Sequence, residues 1–506
     1  MKIKLLPGTP DDANRDYLPE SIKGSDIVVN ENGNNSRPYP ERLMECTGVL
    51  CDGLSDRWYV YVPERYDGSR PVPLVLGLHG GLMTGWGHSI YTSWCYVADR
   101  EGFICVFPDA HEARMWTVEG VFDGMTEEEV NGLPLAVAPA DYRENHDLNF
   151  LAALIRKMQQ EYNIDPGRIF MQGMSMGNVM TQQFCKYYGQ VLAGAAGSGG
   201  PTQPDKLFAR DGTILNYGGP MAIWESRPEV NGLPPGKLYS EFDANRLSRA
   251  YWLRLNECDL TPEISVIGED NFAFFKGKKA DLVYLDIKNR DHGQTLDEAF
   301  LYWDYLFSGV HKEPDGRVIC EEGILPRKGD TFAAAFLPGT AKAWFKNAVE
   351  PLTAAPLRWQ KLKYHGLNGG KIVRGDYLMV PLRFLARMFE ADYQPSADGL
   401  TAVVTLKDGR VLQFARGSIC CAIDDTMRQM YCETLHRQGE LLVSAEWFCG
   451  YLFGCHISTC NDVVYITDHF SELSCFLADL IKDIFQDTVL PQDYSMIETF
   501  VQKPGK

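Results

Sequence analysis

Hydrophobic residues recur in two alternating patterns along the chain up to about residue 310. Short apolar runs, typical of buried strands, are separated by longer stretches with apolar residues at helical spacing. The apolar runs predict strands at 58–63, 73–78, 103–107, 168–171, 221–224 and 282–287. Helical spacing predicts an amphipathic helix over 147–162 and a further helix that ends near Tyr188. Strands alternating with helices predict an α/β fold, with a mostly parallel sheet covered by helices on both faces.

The pattern changes after about residue 310, where charged residues, proline and glycine become frequent. Farther on, the segment 378–391 can be laid over 441–454 without a gap, and apolar positions coincide. Each copy is followed by a strand-like run, at 402–406 and 463–467. We therefore predict a second, smaller α+β domain that is built from an internal repeat.

The 506 residues are too many for one ordinary hydrophobic core, which favours several domains. The patterns predict five parts: an N-terminal arm at 1–45, an α/β domain at 46–312, a linker region at 313–370, the repeat domain at 371–470 and a C-terminal segment at 471–506.

The composition of the chain limits the classes of partner and the cellular locations that can be expected. The formal net charge of −18 disfavours nucleic acid as a partner, and no segment is long and apolar enough to predict a membrane span. The first residues contain no apolar run of signal-peptide length. The fourteen cysteines contain no CxxC pair and no cluster with histidine at zinc-ligand spacing, which indicates mostly reduced thiols. These features favour a cytoplasmic location, with an extracellular one as the alternative if a signal was removed. The oligomeric state stays open.

The sequence Gly173-Met-Ser-Met-Gly177 stands between the predicted strand 168–171 and the helix that follows it. A Gly-x-Ser-x-Gly turn at such a junction exposes the serine hydroxyl, and its glycines allow the strand and helix backbones to approach closely. We therefore predict that Ser175 is a nucleophile.

A serine nucleophile needs a base, an acid that orients the base, and N–H donors for the oxyanion. His292 is the predicted base, because it follows the late strand 282–287 within the first domain. The acid is expected after the strand 221–224, where the sequence offers Glu225, Glu229, Glu241 and Asp243. Glu229 is the first choice, because Pro228 stiffens the turn before it, and Glu225 is the second.

The oxyanion donors are expected to be backbone N–H groups. One is predicted at Met176, directly after the nucleophile, and the other at Gly81, in the His79-Gly80-Gly81 loop after a buried strand. Three tryptophans that follow predicted strand ends are candidates for an aromatic acyl or sugar pocket: Trp86, Trp94 and Trp116.

Several of these segments resemble the poly(3-hydroxybutyrate) depolymerase and feruloyl/acetylxylan esterase group. The resemblance covers roughly residues 55–310 and rests on five segments in the same order: Leu78–Gly80, Asp147–Ile155, Tyr162–Phe170, Gln172–Gly177 and Trp252–Cys258. It implies an α/β-hydrolase fold and ester cleavage through an acyl-enzyme, with no metal and no cofactor.

The chain departs from the pattern of this group at three places. The acid of the group is often Asp in a Gly-x-x-Asp loop, whereas this chain has Trp224-Glu-Ser-Arg-Pro-Glu229. Gly81 replaces a cysteine that often follows His-Gly, and Asp291 replaces the usual glycine before His292. The acid is therefore a glutamate or has moved.

The repeat region resembles the copper amine oxidase N-terminal-like domain, most clearly over Val380–Ala386. That module is a stalk, and the resemblance implies spacing, attachment or contact with a substrate surface, without copper. Its frequent occurrence in exported proteins favours the extracellular alternative.

The expected function is that of a serine carboxylic ester hydrolase acting on feruloyl or acetyl esters of plant polysaccharide, or on another small ester-bearing molecule. One alternative within the enzyme class is a polyhydroxyalkanoate depolymerase, and another is a serine peptidase on the same fold. A polysaccharide-binding protein that has lost turnover is the alternative from a different class.

Overall fold

The computed structural model describes residues 40–112, 114–121, 137–230, 239–364 and 369–497. The predicted N-terminal arm lies outside the described residues as far as position 39. The described residues form two compact units. The first draws on the described residues up to Pro262, on Ala273–Lys328 and on the described residues from Val489 onward, and the second draws on Glu263–Phe272 and on the described residues from Gly329 to Thr488.

The first ten strands of the chain are β1 (Leu43–Cys51), β2 (Leu54–Tyr61), β3 (Val72–Leu78), β4 (Ile104–Pro108), β5 (Ile164–Met174), β6 (Gly194–Ser198), β7 (Ala222–Val230), β8 (Glu263–Ile267), β9 (Asp270–Phe275) and β10 (Leu282–Asp291). In the sheet of the first unit, eight of them follow the order β1-β2-β4-β3-β5-β6-β7-β10. β1 and β2 are antiparallel to each other, and β2 is antiparallel to β4. The pairings from β4 to β10 are parallel.

The helices of this unit are α1 (Gly85–Tyr91), α2 (Trp94–Glu101), α3 (His146–Glu161), α4 (Met176–Tyr188), α5 (Pro204–Leu207), α6 (Glu241–Leu255) and α7 (Glu298–Leu301). α3 begins after Asn145, whose side chain accepts a hydrogen bond from Leu148 N. Its apolar residues are buried as the helical spacing predicts. The strand order, the parallel pairings and these helices confirm the predicted α/β-hydrolase fold.

β7 is longer than the sequence predicts. The predicted strand stops at Trp224, whereas β7 continues through polar residues to Val230. Arg227 Nε lies 2.6 Å from Asp286 Oδ1 on β10, and both side chains are buried. The ion pair offsets the cost of burying two charges between neighbouring strands. The polar residues after Trp224, which resemble a loop in the sequence, can therefore continue the strand.

The remaining strands are short. β11 (Val310–Lys312) and β12 (Val318–Cys320) form a hairpin in the first unit. The second unit contains β13 (Ala333–Phe336), β14 (Lys342–Phe345), β15 (Ala348–Pro351), β16 (Leu357–Tyr364), β17 (Lys371–Pro381), β18 (Asp392–Pro395), β19 (Thr401–Thr405), β20 (Val411–Ala415), β21 (Cys420–Ile423), β22 (Thr426–Gln429), β23 (Leu435–Arg437), β24 (Glu440–Ser444), β25 (His456–Cys460) and β26 (Val463–Thr467), with α8 (Leu382–Met388) and α9 (Cys475–Gln486).

The strands of the second unit build three small sheets, ordered β15-β14-β13-β26-β25, β16-β17-β24-β23 and β18-β19-β20-β21-β22. β13, β14 and β15 fall in the region 313–370 that the sequence predicts as a linker. The alanines Ala333, Ala334 and Ala335 are fully buried there, and β13 pairs with β26. Much of the predicted linker therefore belongs to the second unit, because its small apolar side chains allow close packing.

The two predicted copies of the repeat lie side by side. β17 and β24 are antiparallel neighbours, with Val380 paired with Val443. α8 follows the first strand, and a π-helical segment, Glu446–Leu452, follows the second. The two predicted runs after these helices are β19 and β26. In the described ranges, no helix is long and apolar enough to cross a membrane.

Candidate active site

Ser175 occupies a strained turn between β5 and α4. Its φ is 55° and its ψ is −118°, and it precedes the first residue of the helix. A Cβ on Gly173 would lie 2.1 Å from Gly177 O, and one on Gly177 would lie 2.2 Å from Leu78 O. Both positions therefore require glycine, as the Gly-x-Ser-x-Gly pattern predicts.

His292 follows the last residue of β10 and reaches Ser175. Its Nε2 lies 2.8 Å from Ser175 Oγ, so the structure brings the predicted nucleophile and base into hydrogen-bond contact. Burial lowers the pKa of His292, although the charge of Asp291 opposes the shift. A lowered pKa keeps the imidazole neutral at physiological pH, which is the form that accepts a proton from serine.

A buried amide pair that the sequence did not single out joins the strand before Ser175 to the loop that carries His292. Gln172 Nε2 donates to Gln294 Oε1 at 2.9 Å. Gln172 lies three residues before Ser175, and Gln294 lies two residues after His292. Trp94 Nε1 donates to Gln172 Oε1 at 2.9 Å, which fixes the orientation of the amide. In the sequence, the only signal for this pair is that Gln172 and Gln294 lie two or three residues from the predicted nucleophile and base.

The predicted oxyanion donors are neighbours. A Cβ on Gly81 would lie 3.3 Å from Met176 Cγ. Met176 is the first residue of α4, so its N–H has no acceptor within the helix. The Gly81 loop is held by His79, whose Nδ1 lies 2.7 Å from Gly80 O and whose Nε2 accepts from Ala110 N at 2.9 Å.

The protonation of His79 follows from these two bonds. Since Nε2 accepts a backbone N–H, the ring proton belongs on Nδ1, where it is donated to the Gly80 carbonyl. Burial lowers the pKa of His79 to about 4, which keeps this neutral form at physiological pH. Trp116 Nε1 donates to His79 O at 2.8 Å, so a tryptophan supports the same loop.

Glu225, the second choice for the acid, lies inside β7 and faces α4. Its carboxylate accepts hydrogen bonds from Asn178 Nδ2 at 3.1 Å and from Gln182 Nε2 at 2.5 Å. Burial raises the pKa of Glu225 to about 7, against the opposing effects of the Asn178 hydrogen bond and the Arg227 charge. Its described hydrogen bonds therefore connect it to the helix after the nucleophile.

Glu229, the first choice for the acid, contacts the segment that carries His292. Its Oε2 accepts from Asn289 N at 3.1 Å, and its Oε1 lies 3.8 Å from Lys288 Nζ. The other two candidates lie at the start of α6, where Asp243 N donates to the capping Ser240 Oγ. Glu229 stays the predicted acid.

The three tryptophans proposed for a substrate pocket are all buried, with exposed fractions of 0%, 0% and 1% for Trp86, Trp94 and Trp116. Trp94 and Trp116 donate their indole N–H groups to Gln172 and to the His79 carbonyl. The pocket prediction is therefore corrected: the three rings are buried in the first unit, and two of them hold groups beside the candidate site instead of facing a substrate.

A small cleft adjoins the two glycines that follow β6. Its lining includes Gly199, Gly200, Glu225, Glu241 and Tyr284. A Cβ on Gly200 would lie 2.7 Å from Ser175 O, and one on Gly199 would lie 3.0 Å from His292 Cε1. The two glycines therefore keep the wall between the cleft and the reacting pair thin.

Comparison with known proteins finds partial relatives, and no protein-family model matches the chain. A bifunctional acetylxylan esterase/xylanase of Neocallimastix patriciarum is 27% identical over 171 residues, which are 31% of this chain and 22% of that protein. Feruloyl esterase B of Thermothelomyces thermophilus is 27% identical over 159 residues, 31% of this chain and 48% of that protein. The chain is similar in sequence to acetylxylan and feruloyl esterases.

The similarity spans less than half of the length of either relative. A solved structure, the acetyl xylan esterase from Aspergillus awamori, is 15% identical; the match covers 51% of this chain and 97% of that one, with a TM-score of 0.38.

Proposed function

We propose that this protein is a serine carboxylic ester hydrolase that works through an acyl-enzyme. The observation that carries the proposal is the 2.8 Å distance between His292 Nε2 and Ser175 Oγ, at a strained turn between a strand and a helix. A serine hydroxyl in contact with a neutral imidazole is the arrangement that activates a nucleophile for attack on a carbonyl carbon.

The first half of the reaction forms the acyl-enzyme. Ser175 Oγ attacks the ester carbonyl carbon while His292 Nε2 takes the hydroxyl proton. The carbonyl oxygen becomes an oxyanion, which accepts hydrogen bonds from the N–H groups of Gly81 and Met176. The C–O bond of the ester then breaks, and His292 gives its proton to the departing alkoxide, which leaves as an alcohol.

The second half releases the acid. Water attacks the acyl carbon while His292 takes one of its protons, and the new oxyanion uses the same N–H donors. Collapse of this intermediate returns the proton to Ser175 Oγ. Glu229 is proposed to stabilise the imidazolium that forms in both halves, which is supported by its contacts with the segment that precedes His292.

The proposed substrates are acetyl or feruloyl esters of plant polysaccharide. The support is the similarity to proteins named acetylxylan esterase and feruloyl esterase. Polyhydroxyalkanoate remains a second possible ester, and binding of polysaccharide without turnover is the alternative from another class.

The test begins with a short p-nitrophenyl ester. Wild-type protein is expected to hydrolyse it, and Ser175→Ala and His292→Ala are each expected to reduce kcat by a factor on the order of 10³ or more. Ser444→Ala is a matched control, since Ser444 is a buried serine on β24 of the second unit. No hydrolysis by wild-type protein, together with retained polysaccharide binding, would overturn the proposal in favour of a binding protein.

The acid and the substrate need separate comparisons. Glu229→Gln is expected to reduce kcat by orders of magnitude, and a smaller loss than that of Glu225→Gln would move the role to Glu225. Release of acetate, ferulate and hydroxybutyrate from the corresponding polymers ranks the three substrate classes. Preferred release of hydroxybutyrate would contradict the polysaccharide assignment.

A further inference from the structure

Two histidines and two aspartates from distant parts of the sequence meet in the first unit, outside the candidate active site. Asp52 lies in the turn between β1 and β2, and Asp56 lies on β2. His111 follows β4, and His146 is the first residue of α3. Their spacing in the sequence follows no metal-binding motif, so only the fold brings them together.

Asp56 is the centre of this cluster. Its Oδ1 lies 2.8 Å from His111 Nδ1 and 2.9 Å from His146 Nε2. The ligand atoms of these three residues all lie within 4.8 Å of one another. The Asp56 side chain has an exposed fraction of 0%, and its Oδ2 has no hydrogen-bond partner among the described residues. A buried carboxylate oxygen without a hydrogen-bond partner is costly, and a cation held between this carboxylate and two imidazoles would satisfy it.

The second nitrogen of His146 supports the same interpretation. His146 Nδ1 lies 2.9 Å from Asp52 Oδ2, on the side of the ring away from Asp56. A histidine that ligates a metal through one nitrogen commonly donates from the other to a carboxylate, which fixes the ring and strengthens the ligand. Asp52 therefore holds His146 with Nε2 directed at the Asp56 carboxylate.

We propose that Asp56, His111 and His146 bind one Zn²⁺ ion. Imidazole nitrogen and carboxylate oxygen are ligands that Zn²⁺ accepts at about 2.0–2.2 Å, and three protein ligands leave a fourth position for water. The His111 side chain is 22% exposed, which gives the ion a route from solvent. Ligand atoms around a tetrahedral Zn²⁺ ion lie about 3.3–3.6 Å apart. The contacts of Asp56 Oδ1 at 2.8 and 2.9 Å would therefore have to lengthen by about 0.5 Å when the ion binds.

The site adjoins the loop that supports the predicted oxyanion donors. His111 is next to Ala110, whose N–H donates to His79 Nε2 at 2.9 Å. Zn²⁺ bound through His111 therefore anchors the start of this loop to β2 and α3. Because the ion binds the folded protein, it stabilises the first unit by mass action.

A second arrangement of ligands shares His146. Cys51, Asp52 and His146 also place their ligand atoms within 4.8 Å of one another, with Cys51 Sγ 3.7 Å from His146 Nδ1. This group would use the opposite nitrogen of the ring and a thiolate. The Asp56 group is favoured, because its carboxylate is buried with an oxygen that has no partner, whereas the Asp52 side chain is 43% exposed.

The experiment uses tag-free, full-length protein that has been treated with a chelator. Titration calorimetry with Zn²⁺ is expected to show one ion per chain, and Zn²⁺ is expected to raise Tm. Asp56→Asn keeps the size of the side chain and, because it changes a direct ligand, is expected to weaken binding by more than the roughly tenfold to hundredfold that loss of an outer-shell partner costs. His146→Ala is expected to abolish it. His311→Ala is the matched control, because His311 pairs with Glu313 elsewhere in the same unit.

Two further measurements decide between the ligand groups. Co²⁺-loaded protein is expected to show visible bands of a nitrogen and oxygen site, without the near-ultraviolet charge-transfer band of a thiolate ligand. Cys51→Ser is expected to bind Zn²⁺ as wild type does. Absence of binding to folded wild-type protein, unchanged affinity in Asp56→Asn, or loss of binding in Cys51→Ser would each overturn the proposal.

Discussion

Replacement of Glu225 by glutamine removes a buried carboxyl group whose ionisation the fold opposes. Glu225 lies within β7 and accepts hydrogen bonds from Asn178 and Gln182. Burial raises its pKa from 4.5 to about 7, although the Asn178 hydrogen bond and the Arg227 charge act in the opposite direction. The glutamine keeps the shape of the side chain and one acceptor oxygen, and it cannot ionise.

The sign and size of the effect follow from the two pKa values. Between pH 4.5 and 7 the folded protein retains a proton that the unfolded chain has lost, so the free energy of unfolding falls as pH rises. The difference of about 2.5 units, at 1.36 kcal/mol each, corresponds to about 3 kcal/mol, which is fully lost above the folded pKa of about 7. The free energy of unfolding of Glu225→Gln, relative to that of wild type, is therefore expected to be about 3 kcal/mol larger at pH 8 than at pH 4.

The measurement is urea unfolding of wild type and Glu225→Gln at a series of pH values from 4 to 8. Only the difference between the two proteins is interpreted, because other groups also titrate. Burial raises the pKa of Glu298 to about 7 as well, and its contribution is common to both proteins and cancels. A difference in the free energy of unfolding that does not change with pH would refute the reasoning, since it would show that Glu225 does not take up a proton on folding.

Three further predictions concern the turn Gly173–Gly177, the base His292 and the β7–β10 ion pair. Gly177→Ala puts a methyl group 2.2 Å from a carbonyl oxygen of β3, so it is expected to lower both Tm and the rate of ester hydrolysis. Gly87→Ala is the control: its methyl group meets nothing closer than 3.4 Å, and Tm and activity are expected to be retained. Because burial lowers the pKa of His292, kcat/KM for ester hydrolysis is expected to fall on acidification only below pH 6.5; a midpoint above 6.5 would contradict this. Asp286→Asn removes the charge that faces buried Arg227 and is expected to lower the free energy of unfolding in urea by about 3–5 kcal/mol; unchanged stability would show that the ion pair is not needed.

Much of the first unit could be predicted from the sequence, because its signals are local. The helical spacing of apolar residues identified α3 to within one residue at each end. The apolar runs identified β2, β3, β4, β5, β7 and β10 but missed β6, a short strand of Gly, Ala and Ser between β5 and β7. The Gly-x-Ser-x-Gly pattern placed Ser175 at the junction of β5 and α4. Each of these signals depends on residues within one or two turns or strands of one another.

The predictions that needed correction depended on partners far away in the chain. β7 runs on through polar residues because Arg227 faces Asp286, 59 positions later. The Gln172–Gln294 bond joins residues 122 positions apart. The pocket prediction for the three tryptophans failed for the same reason. Whether a ring after a strand end is exposed or buried depends on the residues that pack over it.

The sequence by itself determined six strands and two helices of the first unit, the identity of the nucleophile candidate and the position of His292 after the last parallel strand. Periodicity and turn chemistry determine these features, and both act over a few residues. Only the tertiary structure brought His292 within 2.8 Å of Ser175. It also brought His111 and His146 to the buried carboxylate of Asp56. Distance and burial are properties of side chains that meet across the fold, so no stretch of the chain encodes them alone.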